Sequence, residues 1–273
     1  MKDYFKTLIE TFKTLEYYKK DFDLIADLLT KKIHDRKGRI ILISSGPMIN
    51  MIQYMVNSFD YLFKIDNKKF LIIEPGKKYI NFYEKNWKKI ENDKSIGAFD
   101  AKEFLVNKND LVLAFSVTGK TNYINNFLKQ AHQCNAKTIM IKSSSFIDNI
   151  NFVDIKINIE LAKKSIEGLY IGNHTTILKM VFEYIIFKMF ENLGQIFEEK
   201  ILTTKIWTKK MMINSLEVLR SFNPNMSDKE LENLIVKAEN ELSIAIVMSK
   251  LNVNIDKAKI ILQKNKYNFK NIL

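Results

Sequence analysis

The sequence predicts an α/β fold, a doubly wound parallel sheet preceded and followed by helical segments. Short strand-like runs recur at Arg39–Ile43, Phe70–Ile73, Leu111–Phe115, Thr138–Ile141 and Val153–Ile159. Most of them are separated by stretches whose apolar residues repeat at helical spacing, and strands alternating with helices give a parallel sheet. The central runs are continuously apolar rather than alternating, as strands covered on both faces are. Three parts follow: a helical segment over 1–37, a sheet domain over 38–205 and a helical tail over 206–273.

Residues 4–35 carry a broken helical period through Phe12, Leu15, Phe22, Ile25 and Leu28-Leu29. A basic cluster and Gly38 stop it. The strand Arg39–Ile43 ends in Ser44-Ser45-Gly46-Pro47, a candidate cradle for a ligand hydroxyl or phosphate, and Pro47 suits the first turn of the next helix, Met48–Phe59. Phe70–Ile73 leads through Glu74-Pro75-Gly76 to a lysine-rich helix from Tyr79 to about Ile90, then Glu91-Asn92-Asp93.

The central stretch is Leu111–Ala131. An apolar strand runs into Ser116-Val117-Thr118-Gly119-Lys120-Thr121, and Tyr123, Ile124, Phe127, Leu128 and Ala131 then mark one face of a helix. Strand, small polar turn and helix start gather hydroxyls and free amides at the positive end of a helix, where phosphate binds. Ala114-x4-Gly119-Lys120-Thr121 also fits a loose nucleotide-binding P-loop. Such a loop needs a carboxylate on another strand to help hold magnesium, whereas Thr138–Ile141 runs into Lys142-Ser143-Ser144-Ser145 with no acid. The turn is therefore read as a sugar-phosphate cradle. A long helix over Asn173–Phe197, apolar on more than one face, is expected to be central or to lie in an oligomer interface. In the tail Ser227-Asp228-Lys229-Glu230 is a capping box, and Ile244–Met248 and Ile260–Leu262 are the apolar faces of further helices.

Composition narrows the function. With 47% hydrophobic and 12% aromatic residues the chain folds. Its net charge of +12 comes almost wholly from scattered lysines. Only Arg36, Arg39 and Arg220 are arginine, so the planar forks that read bases are nearly absent and no specific nucleic acid is expected. The charge instead favours anionic small molecules. Cys134 is alone, and His34, His132 and His174 lie in separate segments, so no disulfide, metal set or cofactor is expected. The N-terminus carries acids and has no continuous apolar stretch. It reads as neither signal peptide nor membrane span, which makes cytoplasm the expected location.

With these segments placed, the chain resembles the sugar isomerase (SIS) domain superfamily, and within it the N-acetylmuramic acid 6-phosphate etherases. The resemblance rests on Gly38-Arg39-Ile40-Ile41 with Ser45-Gly46, on Ser116 to Tyr123 followed by Ala136-Lys137-Thr138-Ile139, and on the tail from Glu241 to Phe269. It implies a three-layer, flavodoxin-like sheet and a homodimer with sites at the subunit interface. It also implies metal-free cleavage of the ether that joins lactate to a phosphorylated amino sugar. Ser45, Gly46, Ser116, Thr118, Gly119, Lys120, Thr121, His174 and Thr176 would hold substrate and phosphate, and Glu91 would be the catalytic base. The family's second glutamate aligns with Ser58, so Asp60, the nearest carboxylate, would have to substitute for it as the second catalytic residue, the acid. The basic segment of the family corresponds to Gly168–Thr176, where its arginine and lysine are replaced. These departures leave a non-catalytic sugar-phosphate regulator, or an isomerase, as alternatives to a carbon–oxygen lyase.

Overall fold

The computed structural model describes residues 4–76, 92–144, 150–160 and 172–273. Five strands form one parallel sheet: β1 (Ile40–Ile43), β2 (Phe70–Ile73), β3 (Leu111–Ser116), β4 (Lys137–Lys142) and β5 (Ile155–Asn158), in the order β2-β1-β3-β4-β5. That is the flavodoxin-like order, and it reverses direction between β1 and β3. Every residue of β1 and β3 is buried, whereas the edge strands β2 and β5 are only partly so. The apolar runs were legible for this reason: central strands have no solvent face to encode.

Helices cover both faces. α1 (Tyr4–Leu15) and α2 (Lys19–His34) are joined by a single 3₁₀ turn at Glu16–Tyr18, which accounts for the broken period. α3 spans Pro47–Leu62, and α4 spans Ile96–Glu103. α5 (Asn122–Gln133) lays Tyr123, Ile124, Phe127, Leu128 and Ala131 on Ile41, Ile43, Val112, Ala114 and Met140. α6 (Gly172–Asn192) covers the other face, where Phe182 meets Phe115 edge-on at 5.4 Å. Its Ile177, Leu178, Val181, Ile185 and Ile186 are fully buried, as expected for a central helix.

Two differences from expectation have local causes. α4 was not foreseen because its buried face is Gly97, Asp100 and Ala101, too small and polar to show an apolar period. Gly97 is required there, since a Cβ would lie 2.1 Å from the Tyr123 carbonyl oxygen. α6 ends at Asn192 rather than running to Phe197. Gly194 (φ +72°) takes the left-handed conformation that ends a helix, and Ile196–Phe197 (β6) then pairs with Lys200–Ile201 (β7) across Glu198 and Glu199, both at positive φ. The expected helix Tyr79–Ile90 lies outside the described residues.

The chain divides into two compact units, residues 1–56 with 68–186 and residues 57–67 with 187–273. The divide falls near 186 rather than at the expected 205/206. The end of α6 and the hairpin belong with the tail: Phe190 stacks on Phe63 at 3.4 Å, and the Gln195 side chain bonds the Lys64 amide and carbonyl. The second unit adds α7 (Lys209–Phe222), α8 (Asp228–Lys237), α9 (Leu242–Leu251) and α10 (Ile255–Lys264) around Leu219, Leu231, Ile235, Ile246, Leu262 and Phe269. The capping box at Ser227 is present in both directions.

Candidate functional site

A doubly wound sheet binds ligands outside the carboxyl ends of its strands, at the point where strand order reverses. Here that point lies between β1 and β3. The loop after β1 is tied to the end of β3 by Ser44, whose hydroxyl donates to the Phe115 carbonyl at 2.8 Å. Ser45 is half-buried, and Gly46 holds φ +63°, a conformation only glycine adopts freely, just before α3 begins at Pro47.

The loop after β3 is folded by its own hydroxyls. Ser116 Oγ accepts from the Gly119 amide at 2.9 Å, and Thr118 Oγ1 from the Lys120 amide at 3.1 Å. Asn125 Nδ2 donates to the Gly119 carbonyl at 3.0 Å, and Gly119 sits at φ +74°. Two amides expected to face an anion are therefore taken within the turn. The donors that remain are the hydroxyl hydrogens, because a hydroxyl that accepts one bond still donates another, and the first-turn amides of α5. Thr121 is the N-cap of α5, yet its side chain makes no capping bond. The helix start thus keeps its positive end uncapped by that residue. Lys120 is exposed beside it.

β4 contributes what sequence reading passed over. Ser116 pairs with Lys142, and Lys142 with Asn158, in parallel register, so three polar side chains form a row across the carboxyl ends of β3, β4 and β5. Ser116 and Lys142 are 3% and 4% exposed. A lysine so deeply buried is uncommon, and here it does not go without a partner. The next residue, Ser143, is fully buried, and its Oγ lies 3.0 Å from His174 Nδ1 on the first turn of α6. His174 is half-buried, Thr175 beside it is buried, and Thr176 is exposed. The only hint in the sequence was a lysine closing an apolar strand.

A second layer supports α5. Asp100 on α4 is fully buried, and its Oδ2 accepts from the Tyr123 hydroxyl at 3.0 Å and from the Gly76 amide at 2.9 Å. Burial first, and the Asp100 charge second, push the Tyr123 hydroxyl well above the usual tyrosine value. A raised pKa gives stability that is complete below about 10.0, where the unfolded tyrosine is still neutral, and that is lost as pH climbs towards the folded value. Tyr123→Phe should therefore flatten the alkaline limb of a stability–pH profile, measured by urea unfolding on either side of that value. At the start of α4, Asp93 Oδ1 accepts from the Ser95 hydroxyl and from the Ser95 and Ile96 amides, which hold its carboxyl below the usual range. Asn122 Nδ2 on α5 donates to the Asn92 carbonyl at 2.9 Å, so this corner is tied to the cradle helix.

The structure thus brings Ser45, Gly46, Ser116, Thr118, Gly119, Lys120, Thr121 and His174 to one edge of one sheet. Glu91 lies outside the described residues. Asp60 is exposed near the end of α3 and falls in the second unit. Ser58, also in the second unit, is half-buried. Among the described residues no three His, Cys, Asp or Glu side chains gather to hold a metal, and no helix is long and apolar enough to cross a membrane.

No family model matches the chain. An N-acetylmuramic acid 6-phosphate etherase of Lactobacillus gasseri is 27% identical over 183 residues, 67% of this chain and 61% of that protein. One of Oceanobacillus iheyensis is 23% identical over 252 residues, 91% and 84% of the two chains. The chain thus spans about 61% of the length of the first curated relatives it matches. Among solved structures, a phosphoheptose isomerase from Francisella tularensis is similar with a TM-score of 0.43 at 16% identity, over 67% of this chain and 95% of that one.

Proposed function

We propose, from the premise that this chain is a diverged relative of the N-acetylmuramic acid 6-phosphate etherases, that it is a carbon–oxygen lyase of the cytoplasm. Its substrate is a 6-phosphorylated amino sugar bearing a lactyl ether, and it works as a homodimer with its sites at the subunit interface. One observation supports the reading: the start of α5, left uncapped by Thr121, and the hydroxyl turn before it follow β3 at the topological switch point, with the buried Lys142 beside Ser116 on the neighbouring strand β4. A phosphate dianion is satisfied there by hydroxyl and amide donors, a helix terminus and one cation. The sugar is thereby oriented for chemistry at the carbons beside its aldehyde.

The chemistry follows from the substrate. In the ring-opened sugar the proton on C2 is acidified by the neighbouring aldehyde, and the lactyl oxygen is on C3. Glu91 removes that proton as general base. It is next in sequence to Asn92, whose carbonyl Asn122 holds beside the cradle helix. The C3–O bond breaks, lactate leaves, and water adds back across the double bond. No cofactor is required by this sequence of steps.

The test is direct. Purified protein incubated with N-acetylmuramic acid 6-phosphate should release lactate, and Glu91→Gln should lower that release by about 10²–10⁴-fold, the usual contribution of a general base. No release above the Glu91→Gln control rejects the lyase. The replacement of a family glutamate by Ser58 favours one second reading, a sugar-phosphate-binding regulator that has kept the cradle and given up catalysis. In that case hexose or amino-sugar phosphates stabilise the protein by mass action without being consumed. An isomerase would bind in the same way and interconvert the aldose and ketose phosphates.

A further inference from the structure

We propose that Asn125 is a positioning residue that sets the Thr118 hydroxyl as a hydrogen-bond donor to the ligand's phosphate, a role that rests on the phosphate-cradle reading above. It acts through a single peptide group, the one between Gly119 and Lys120.

The carbonyl of that peptide accepts from Asn125 Nδ2 at 3.0 Å, and its N–H donates to Thr118 Oγ1 at 3.1 Å. In a planar trans peptide the C=O and the N–H point in opposite directions. Holding the carbonyl to the α5 side chain therefore holds the Lys120 amide to Thr118. Gly119 is buried, and a buried carbonyl needs a donor from within the protein. Asn125 supplies it from one turn into the helix.

The consequence falls on Thr118. A hydroxyl has one hydrogen to give and lone pairs with which to accept. With the Lys120 amide on its oxygen, the Thr118 hydroxyl keeps its hydrogen for a further acceptor. Ser116 stands in the same state, its oxygen accepting from the Gly119 amide at 2.9 Å. A bond accepted by a hydroxyl strengthens the one it donates. A phosphate dianion offers only acceptors, so it completes both chains from backbone N–H through hydroxyl to phosphate oxygen.

Stability alone does not explain an amide at this position. Asn125 Oδ1 is buried without a partner, a desolvation cost that no bond offsets. Exchanging the two ends of the amide would set Oδ1 against the Gly119 oxygen, acceptor against acceptor, so the orientation is fixed. What this position keeps is the N–H.

The experiment is a double-mutant cycle in ligand binding, read by titration calorimetry. The probe is N-acetylglucosamine 6-phosphate, the sugar phosphate left once lactate has gone and water has added. Thr118→Ala should weaken binding about tenfold to a hundredfold, the scale of one hydrogen bond to a charged group, and Asn125→Leu about tenfold. Because Asn125 acts through Thr118, the double variant should bind within about twofold of the weaker single variant. A merely structural loosening would add its own factor whatever stands at position 118. Losses that multiply, or an Asn125→Leu protein that binds like the parent, overturn the positioning role. If the parent does not prefer the probe to N-acetylglucosamine, the cradle reading itself falls and takes this role with it. Should the leucine variant not fold, Asn125→Ala is held to the same cycle.

Discussion

Asp110→Ala should lower folding stability by about 3 kcal/mol, the lower end of the range for breaking a buried ion pair. Asp110 is 1% exposed and accepts five bonds. Its Oδ1 takes the Arg39 amide at 3.2 Å and Nε at 3.0 Å, and its Oδ2 takes Arg39 Nη2 at 2.6 Å with the Asn107 amide and side chain at 3.0 and 3.3 Å. Its backbone continues the tie, since the Asp110 carbonyl accepts from Lys137 and the Leu111 amide donates to Arg39. One residue therefore aligns the starts of β1, β3 and β4, its carboxylate holding Arg39 and its backbone carbonyl holding Lys137. The alanine variant strands two backbone amides as well as a guanidinium. That guanidinium is 30% exposed and can turn to water, which is why the lower end of the range is expected. Urea unfolding should show a lower midpoint at an unchanged slope. A loss below about 1 kcal/mol would place the pair with ordinary surface ion pairs.

This register decides where the loops at the opposite edge stand, and it marks what a sequence can and cannot disclose. The strand, turn and helix of Leu111–Gln133 were legible because each segment states its own environment: unbroken apolar residues, then hydroxyls and glycine, then one apolar face. The end of α6 was not legible, because Phe197 continues the apolar composition while Gly194 turns the backbone. α4 was hidden because it packs by close approach, through Gly97 and Ala101, rather than by bulk. At the site, the turn at Ser116–Thr121 was read correctly as polar, but the use of two of its amides inside the turn depends on side-chain geometry that no spacing encodes. His174 was singled out without its partner. Ser143 lies 31 residues earlier, and only the sheet brings them together.

Lys142 is the clearest case. In a chain with a net charge of +12, a lysine at the end of a strand looks like any other. It is buried at a place in the sheet, beside Ser116 and Asn158 in register, that no local pattern announces. Two roles can be told apart by replacing it with methionine, whose thioether of similar length fills the same space: one within the folded chain, where Lys142 already has a partner, and one towards a ligand. Binding of a sugar phosphate should weaken by about tenfold to a hundredfold, the equivalent of ~1.5–3 kcal/mol for a hydrogen bond to a charged group. Titration calorimetry with an amino-sugar 6-phosphate, beside thermal unfolding of the ligand-free protein, separates the two. A variant that melts earlier and binds normally would make Lys142 a structural residue. One that melts no earlier and no longer distinguishes the phosphorylated sugar from the free sugar would make it the cation on which the cradle depends.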